Sequence, residues 1–342
     1  MIVKLRLTNF RNFKKKVLEF SDSITVIIGP NGIGKTNVLE SLFLLSTGKS
    51  FKARIEEEMI NYDEEFTKIE GKTKEPRLDV VLTRSTTRKK LAVNGIARRM
   101  LDFAGHLKVV LFGPWDMDLV TESPSLRRKF LDTVLSQVDR EYRRAIASYE
   151  KGLRQRNRLL FRIREEGLSR GQLLFWNQLL IKNGDYITAR REEFIDFVNQ
   201  KPSLNEQNFT LEYDRSVISD SRLEQYRDEE VAAATTLVGP HRDDIVFRMG
   251  TTSLPAGRNM AAYASRGEQR MAILWLKLAE LAFIEEKTDE KPTLLLDDIF
   301  SELDHEHRKI VTAAASNQQT IITTADPHFI EGLKGVEKIT LE

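Results

Sequence analysis

Gly29-Pro-Asn-Gly-Ile-Gly-Lys-Thr36 is the segment that most restricts what this chain can fold into. It fits G-x-x-x-x-G-K-[ST] at every fixed position. The β-branched run Ile24-Thr-Val-Ile-Ile28 precedes it, and a helical pattern over 35–46 follows, with Leu39, Leu42 and Phe43 on one face. Strand, glycine loop and helix in that order make a unit that wraps phosphates. The glycines let successive N–H groups point inward, and the helix N-terminus adds its dipole. Gly29, Pro30, Asn31, Gly32, Ile33 and Gly34 are therefore candidate nucleotide-binding positions. Lys35 is expected to reach the β- and γ-phosphates, in binding and in catalysis, and the Thr36 hydroxyl to hold Mg²⁺. A chance glycine turn is the alternative, and both flanks argue against it.

Thr293-Leu-Leu-Leu-Asp297-Asp298 is an apolar run ending in two carboxylates, the pattern of a parallel strand buried on both faces. Asp297 is expected to bind Mg²⁺, through water, and Asp298 to polarise the attacking water as a general base. A solvated acidic turn is the other reading, and the upstream phosphate loop weakens it. Ser265-Arg-Gly-Glu268 opens a periodic helix over 268–284 with Met271, Leu274, Trp275, Leu278, Leu281 and Ala282 on one face. Ser265 and Glu268 form a capping box, so a well-capped helix with no ligand is one reading. A helix start that presents a serine and free N–H groups to a phosphate is the other.

The ends of the chain read as α/β and the middle as helical. Residues 2–7 alternate like a strand, and 78–99 read as strands with a turn at Asn94–Gly95. From about Pro124 to Asn199 the pattern is long, charged and helical. After Pro202 short strand-like pieces return, and 320–323 is a further strand. An α/β lobe over 1–115 and 230–342 is thus split by a mostly helical insertion over 116–229. With 342 residues the chain is long enough for two lobes. No apolar run approaches the ~20 residues of a membrane span. The first residues lack a secretion pattern and there is no cysteine, which together point to the cytoplasm. Net charge is only +2, so a nucleic-acid surface requires local clustering. Arg140–Arg164 holds nine Arg or Lys against Glu141 and Glu150, and Arg84, Arg88, Lys89, Lys90, Arg98 and Arg99 surround the hairpin. Either group suits phosphate contacts without base reading; either is also an ordinary solvated face.

The Ser265 segment resembles the S-G-G-Q signature of ABC-type ATPases, with Arg266 and Glu268 as departures. The loop Ser301-Glu-Leu-Asp304 resembles that class's dimer-interface loop, and also suits a helix cap. A phosphate loop near residue 30, a helical insertion and a late signature and acidic strand resemble the SMC-like branch. Within it the chain resembles the RecF family over nearly its whole length. The residues concerned are Asn9-Phe-Arg-Asn12, the loop through Glu40, Gly48-Lys-Ser-Phe51, Phe112-Gly-Pro-Trp-Asp116, Pro124 with Arg127–Asp132, Gly239-Pro-His-Arg-Asp-Asp244, Leu276–Glu280 and Asp297–Asp304. Trp115, where the family usually has an acidic residue, and Thr121-Glu-Ser123 depart from the pattern.

The resemblance implies an ABC-type P-loop ATPase head with an inserted, mostly helical second lobe. It implies slow hydrolysis of ATP and ATP-dependent homodimerisation, with Ser265 meeting the γ-phosphate of ATP on the other subunit. It implies binding to double-stranded DNA and single-strand gap junctions, and work with RecR and RecO in loading recombinase. Arg11 resembles an arginine that contacts nucleotide in related ATPases; a surface arginine on a strand turn is the alternative. No histidine stands in Thr323-Thr-Ala-Asp326, where the class has its switch loop. His241-Arg-Asp243 lacks metal-ligand spacing and reads better as a hydrogen-bonded turn. A transporter ATPase subunit, a nuclease with an SMC-like ATPase domain, and a scaffold clamped by ATP are the competing functions. A transporter subunit usually has a glutamate at Asp298, and a nuclease needs a second acidic domain after it.

Overall fold

Short, wholly apolar strands need cover on both faces, and long amphipathic helices need a partner along one. The computed structural model describes residues 1–85, 88–204, 207–251, 254–301, 303–330 and 335–342. The chain divides into two compact units, residues 1–116 with 276–342, and residues 117–275.

The first unit contains two sheets. Strands β3 (Ile24–Ile28), β8 (Val109–Phe112), β12 (Thr293–Asp297), β13 (Thr320–Thr324) and β14 (Val336–Thr340) form a sheet in the order β14-β3-β13-β12-β8. All its pairs are parallel. Strands β1 (Ile2–Phe10), β2 (Phe13–Glu19), β4 (Phe66–Thr73), β5 (Arg77–Thr83), β6 (Arg88–Val93) and β7 (Ile96–Arg98) form an antiparallel sheet, ordered β2-β1-β4-β5-β6-β7. Asn94 and Gly95, at φ 52° and 78°, make the expected tight turn from β6 to β7. Helices α1 (Lys35–Thr47), α2 (Met100–Phe103) and α11 (His305–Ala315) complete the unit with part of α10 (Arg266–Thr288). Helix α1 packs on strands of both sheets, and Val38, Leu39, Leu42, Leu44 and Leu45 are fully buried. The single apolar face expected for it is therefore incomplete. Enclosure on opposite sides also buries Glu40 and Ser41, each of which is hydrogen-bonded.

The second unit contains α3 (Asp118–Thr121), α4 (Pro124–Val138), α5 (Arg140–Glu166), α6 (Leu174–Asn199), α7 (Asp220–Gln225), α8 (Arg227–Ala233) and α9 (Met260–Tyr263). It also holds the sheet β11 (Leu254–Asn259), β10 (Asp244–Thr251), β9 (Asn208–Asp214). The sequence reading set 230–275 with the α/β lobe, whereas contacts group these residues with the helices. Strand β10 pairs with β9 from Asp244–Asp214 to Gly250–Asn208, which ties the later segment to the insertion.

Arg191 on α6 organises the turn before β10. Its guanidinium donates to Asp132 at 2.9 Å, Asp243 at 2.8 Å and the Pro240 carbonyl at 2.7 Å. Tyr213 and the Ser216 N–H also donate to Asp243. His241 stands with Nδ1 2.8 Å from the Tyr149 hydroxyl and Nε2 3.0 Å from the Thr236 carbonyl. Burial lowers its pKa to about 4, so the ring is neutral, accepting at Nδ1 and donating at Nε2. Both nitrogens are engaged in the turn, as the missing metal-ligand spacing suggests.

The basic stripe on α5 is less uniform than its composition. Arg156 is buried against Glu230 at 2.6 Å and Thr236 at 2.8 Å. Arg144 and Arg162 pair with Glu141 and Glu166. Lys151, Arg154 and Arg158 face outward at helical spacing. Helix α10 also departs from expectation. Ala272, Ile273, Leu276 and Ala279 are buried beside the apolar face read from the sequence, so the helix is enclosed on most sides.

That enclosure places two ionisable groups in the interior. Lys277 Nζ lies 3.1 Å from Asp116 and 3.2 Å from Glu280, so two carboxylates share one ammonium. Burial pushes the Glu280 carboxyl up to about 7, against the pull of Lys277. A carboxyl raised above its unfolded value contributes stability that is fully present below about pH 4.5 and is lost as pH rises through about 7. Relative to Glu280→Gln, the wild-type chain is therefore expected to lose stability between pH 5 and pH 7.5. Urea midpoints of both proteins at the two pH values check this; parallel shifts would show that Glu280 does not titrate there.

No helix among the described residues is long and apolar enough to cross a membrane.

Candidate active site

The glycine loop closes over the C-terminal end of β3. Gly32 and Gly34 have φ of 84° and 111°, which side chains disfavour. A Cβ on Gly34 would also meet Phe13 and Asn12 at 2.6 and 2.7 Å. Helix α1 starts at Lys35 with no side chain capping it, so its first N–H groups are left for a ligand or water. Lys35 Nζ donates to the carbonyls of Gly29 at 2.7 Å and Pro30 at 3.1 Å, which holds the ammonium over the loop. Asn12 braces the loop from outside: its amide donates to the Ile33 carbonyl at 2.7 Å, and its oxygen accepts from Asn37 at 2.9 Å.

The acidic strand arrives at the same edge. Thr36 Oγ1 lies 2.8 and 3.1 Å from the two oxygens of Asp297 and donates to this carboxylate. Two hard oxygen groups at that distance would suit Mg²⁺, with the rest of the shell left to phosphate and water. The fit needs no dense protein cage, and among the described residues no cluster of three His, Cys, Asp or Glu could hold a metal. Asp298 follows at φ 51°, a left-handed conformation uncommon outside glycine. Its N–H donates to the Thr323 carbonyl at 3.1 Å and reaches Thr323 Oγ1 at 3.2 Å. Thr323 was not among the sequence candidates. It sits in β13, which the sheet order inserts between β3 and β12, at the start of the segment that stands where the class has its switch loop.

Arg11 is bound rather than free. In the turn between β1 and β2, at φ 53°, it forms a two-pronged pair with Glu40 at 2.8 and 2.6 Å and donates to the Glu58 carbonyl at 2.6 Å. Glu40 is fully buried and also accepts from Ser50 at 2.5 Å. Arg11 thus neutralises a carboxylate inside the helix that follows the loop. Trp115, the departure from the family pattern, stacks on Phe51 with centroids 4.9 Å apart. An apolar stack occupies the position where a charge was expected.

Loop, Asp297, Asp298, Thr323 and Arg11 all belong to the first unit. Ser265 belongs to the second. There its N–H donates to Glu268 at 2.7 Å, and its Oγ accepts from the Glu268 N–H at 3.3 Å, so the capping box is formed. Asp304 caps α11, accepting from the His307 N–H at 3.0 Å. Glu302, in the segment likened to an interface loop, lies outside the described residues.

A parallel sheet carrying a glycine loop after β3 and paired carboxylates at the end of β12, beside an antiparallel sheet, defines an ABC-type P-loop ATPase head. The family model described as RecF/RecN/SMC N terminal domain matches residues 1–342. The chain is 35% identical to the DNA replication and repair protein RecF of Thermomicrobium roseum, over 97% of this chain and 95% of that one. It is 36% identical to the protein of the same name from Halothermothrix orenii, over 95% and 92%. A solved structure of the recombination mediator protein RecF-ATPrS in the RecFOR pathway aligns with TM-score 0.89 and 31% identity, over 99% and 96% of the two chains. An SMC head bound to the C-winged helix domain of ScpA shares the fold, with TM-score 0.54 at 16% identity, over 100% and 94%. The chain belongs to the RecF family.

Proposed function

We propose that this chain is a weak, Mg²⁺-dependent ATPase of recombinational repair and replication-fork maintenance. It binds ATP, closes as a homodimer on double-stranded DNA and gap junctions, and acts with RecR and RecO in recombinase loading. The observation that carries the reading is the meeting of Thr36 and Asp297, 261 residues apart in sequence, at one end of a parallel sheet. Names of relatives support the purpose: a DNA replication and repair protein, and a recombination mediator solved with ATP in the RecFOR pathway.

The residues divide the work. Backbone N–H groups of Gly29–Thr36 cradle the phosphates, and Lys35 moves from its carbonyl partners to the β- and γ-oxygens. Thr36 and Asp297 hold Mg²⁺, which when bound neutralises charge developing on the phosphates. Asp298 takes a proton from the attacking water. Arg11, through Glu40, steadies the first helical turns beside the nucleotide. The Ser265 segment of a second copy completes the site, and for that reason it is assigned functionally to the ATPase lobe, 1–115 with 230–342. Lys151, Arg154 and Arg158 on α5, with exposed Lys90 and Arg98 near the hairpin, offer positive surface for phosphates. Lys89 pairs with Glu56, and the Arg88 side chain lies outside the described residues.

Gel filtration and duplex binding with and without ATP test the reading. The wild-type chain is expected to dimerise and bind DNA only with ATP, and Asp298→Asn to stay dimeric long after ATP is added. Indifference of both properties to ATP would refute the clamp. An Asp298→Asn dimer that dissociates at the wild-type rate would remove Asp298 as base.

A further inference from the structure

Thr323 has no role in the reading above, yet it is the contact point of both catalytic carboxylate residues. Its side chain is fully buried, and its Oγ1 donates to Asp297 Oδ1 at 2.5 Å. The Leu296 carbonyl stands at 3.4 Å, so the single hydroxyl proton goes to the carboxylate. The same oxygen lies 3.2 Å from the Asp298 N–H, where it accepts. Register explains the placement. Thr323 pairs with Asp297 on one side and Ile27 on the other, in the central strand between loop strand and acidic strand. It therefore meets Asp297 at Oδ1, the oxygen that also stands 3.1 Å from Thr36 Oγ1, and it anchors the N–H of a residue held at φ 51°.

We propose that Thr323 is a positioning residue for ATP hydrolysis: its hydroxyl fixes the Asp297 carboxylate toward Thr36 and ties down the Asp298 backbone. The inference rests on the ATPase reading of this site. Partners behind a metal-binding carboxylate set its orientation, and their loss typically costs about 10–100-fold in metal affinity or activity. Valine keeps the shape of threonine and removes the hydroxyl. Serine keeps the hydroxyl and removes the methyl.

The test compares wild type, Thr323→Val and Thr323→Ser as full chains. Two quantities are measured: equilibrium binding of ATP in EDTA and across a Mg²⁺ titration, and hydrolysis across the same titration. Thr323→Val is expected to bind ATP normally in EDTA but to need about tenfold more Mg²⁺ for half-maximal tightening and for half-maximal hydrolysis. Thr323→Ser is expected to follow wild type in both. A valine variant with wild-type Mg²⁺ dependence, or a serine variant that shifts like valine, overturns the proposal. Thermal melts identify a valine variant that fails to fold, and the serine comparison then decides. A wild-type chain that binds no ATP overturns the ATPase reading itself, an outcome distinct from either.

Discussion

Lys35→Met is expected to lower ATP hydrolysis by about a hundred- to a thousandfold, the usual loss when one preorganised donor to a developing charge is removed. The ammonium already sits on the Gly29 and Pro30 carbonyls, so it is placed before any ligand arrives. ATP binding exchanges those carbonyls for phosphate oxygens before the chemical step, so the cation is in place when charge develops. Methionine fills a similar volume without charge, so the loop keeps its packing while losing its cation. Steady-state hydrolysis, ATP affinity and a thermal melt on the same preparation separate the outcomes. A folded variant that hydrolyses ATP within twofold of wild type would show that the glycine loop is not the working site.

Arg191→Met is expected to destabilise the second unit by about 3–5 kcal/mol, because one partner of a buried ion pair is removed and the other remains. Asp243 is fully buried and, among the described residues, would keep Tyr213 and the Ser216 N–H as donors. At about 2–4 °C per kcal/mol for a unit of this size, the transition moves down by about 10 °C. Adding Asp243→Asn is expected to recover part of the loss, since the stranded charge is then gone. Arg154→Met, on an exposed face, is expected to change stability by less than about 0.5 kcal/mol. Melting curves of the three variants check the order. An Arg191→Met protein as stable as Arg154→Met would mean that the buried network carries no net weight.

Much of the first unit was legible because its strands and motifs are local. Ile24–Ile28 reads as a strand from β-branching alone, and the glycine loop forms with the strained φ values its glycines permit. The turn at Asn94–Gly95 and, in the second unit, the capping box at Ser265–Glu268 likewise depend on residues within four positions of each other. What the sequence misjudged was enclosure. Amphipathic patterns on α1 and α10 implied one buried face, whereas both helices are covered on most sides and carry buried Glu40, Lys277 and Glu280. A charged residue in a helical pattern reads as solvent-facing unless its partner is known, and Arg11 beside Glu40 and Asp116 beside Lys277 lie elsewhere in the chain. The basic stripe failed in the same way at Arg156, whose partner Glu230 is 74 residues away.

The sequence by itself determined the phosphate loop and the acidic strand end, since each is written in a few adjacent residues. The order of strands was decided only by the tertiary structure. Parallel strands joined by long connections carry no local signal of which will be neighbours. Placing β13 between β3 and β12 is what brings Thr36 and Thr323 together on Asp297, and it makes a threonine that the local sequence does not single out part of the site.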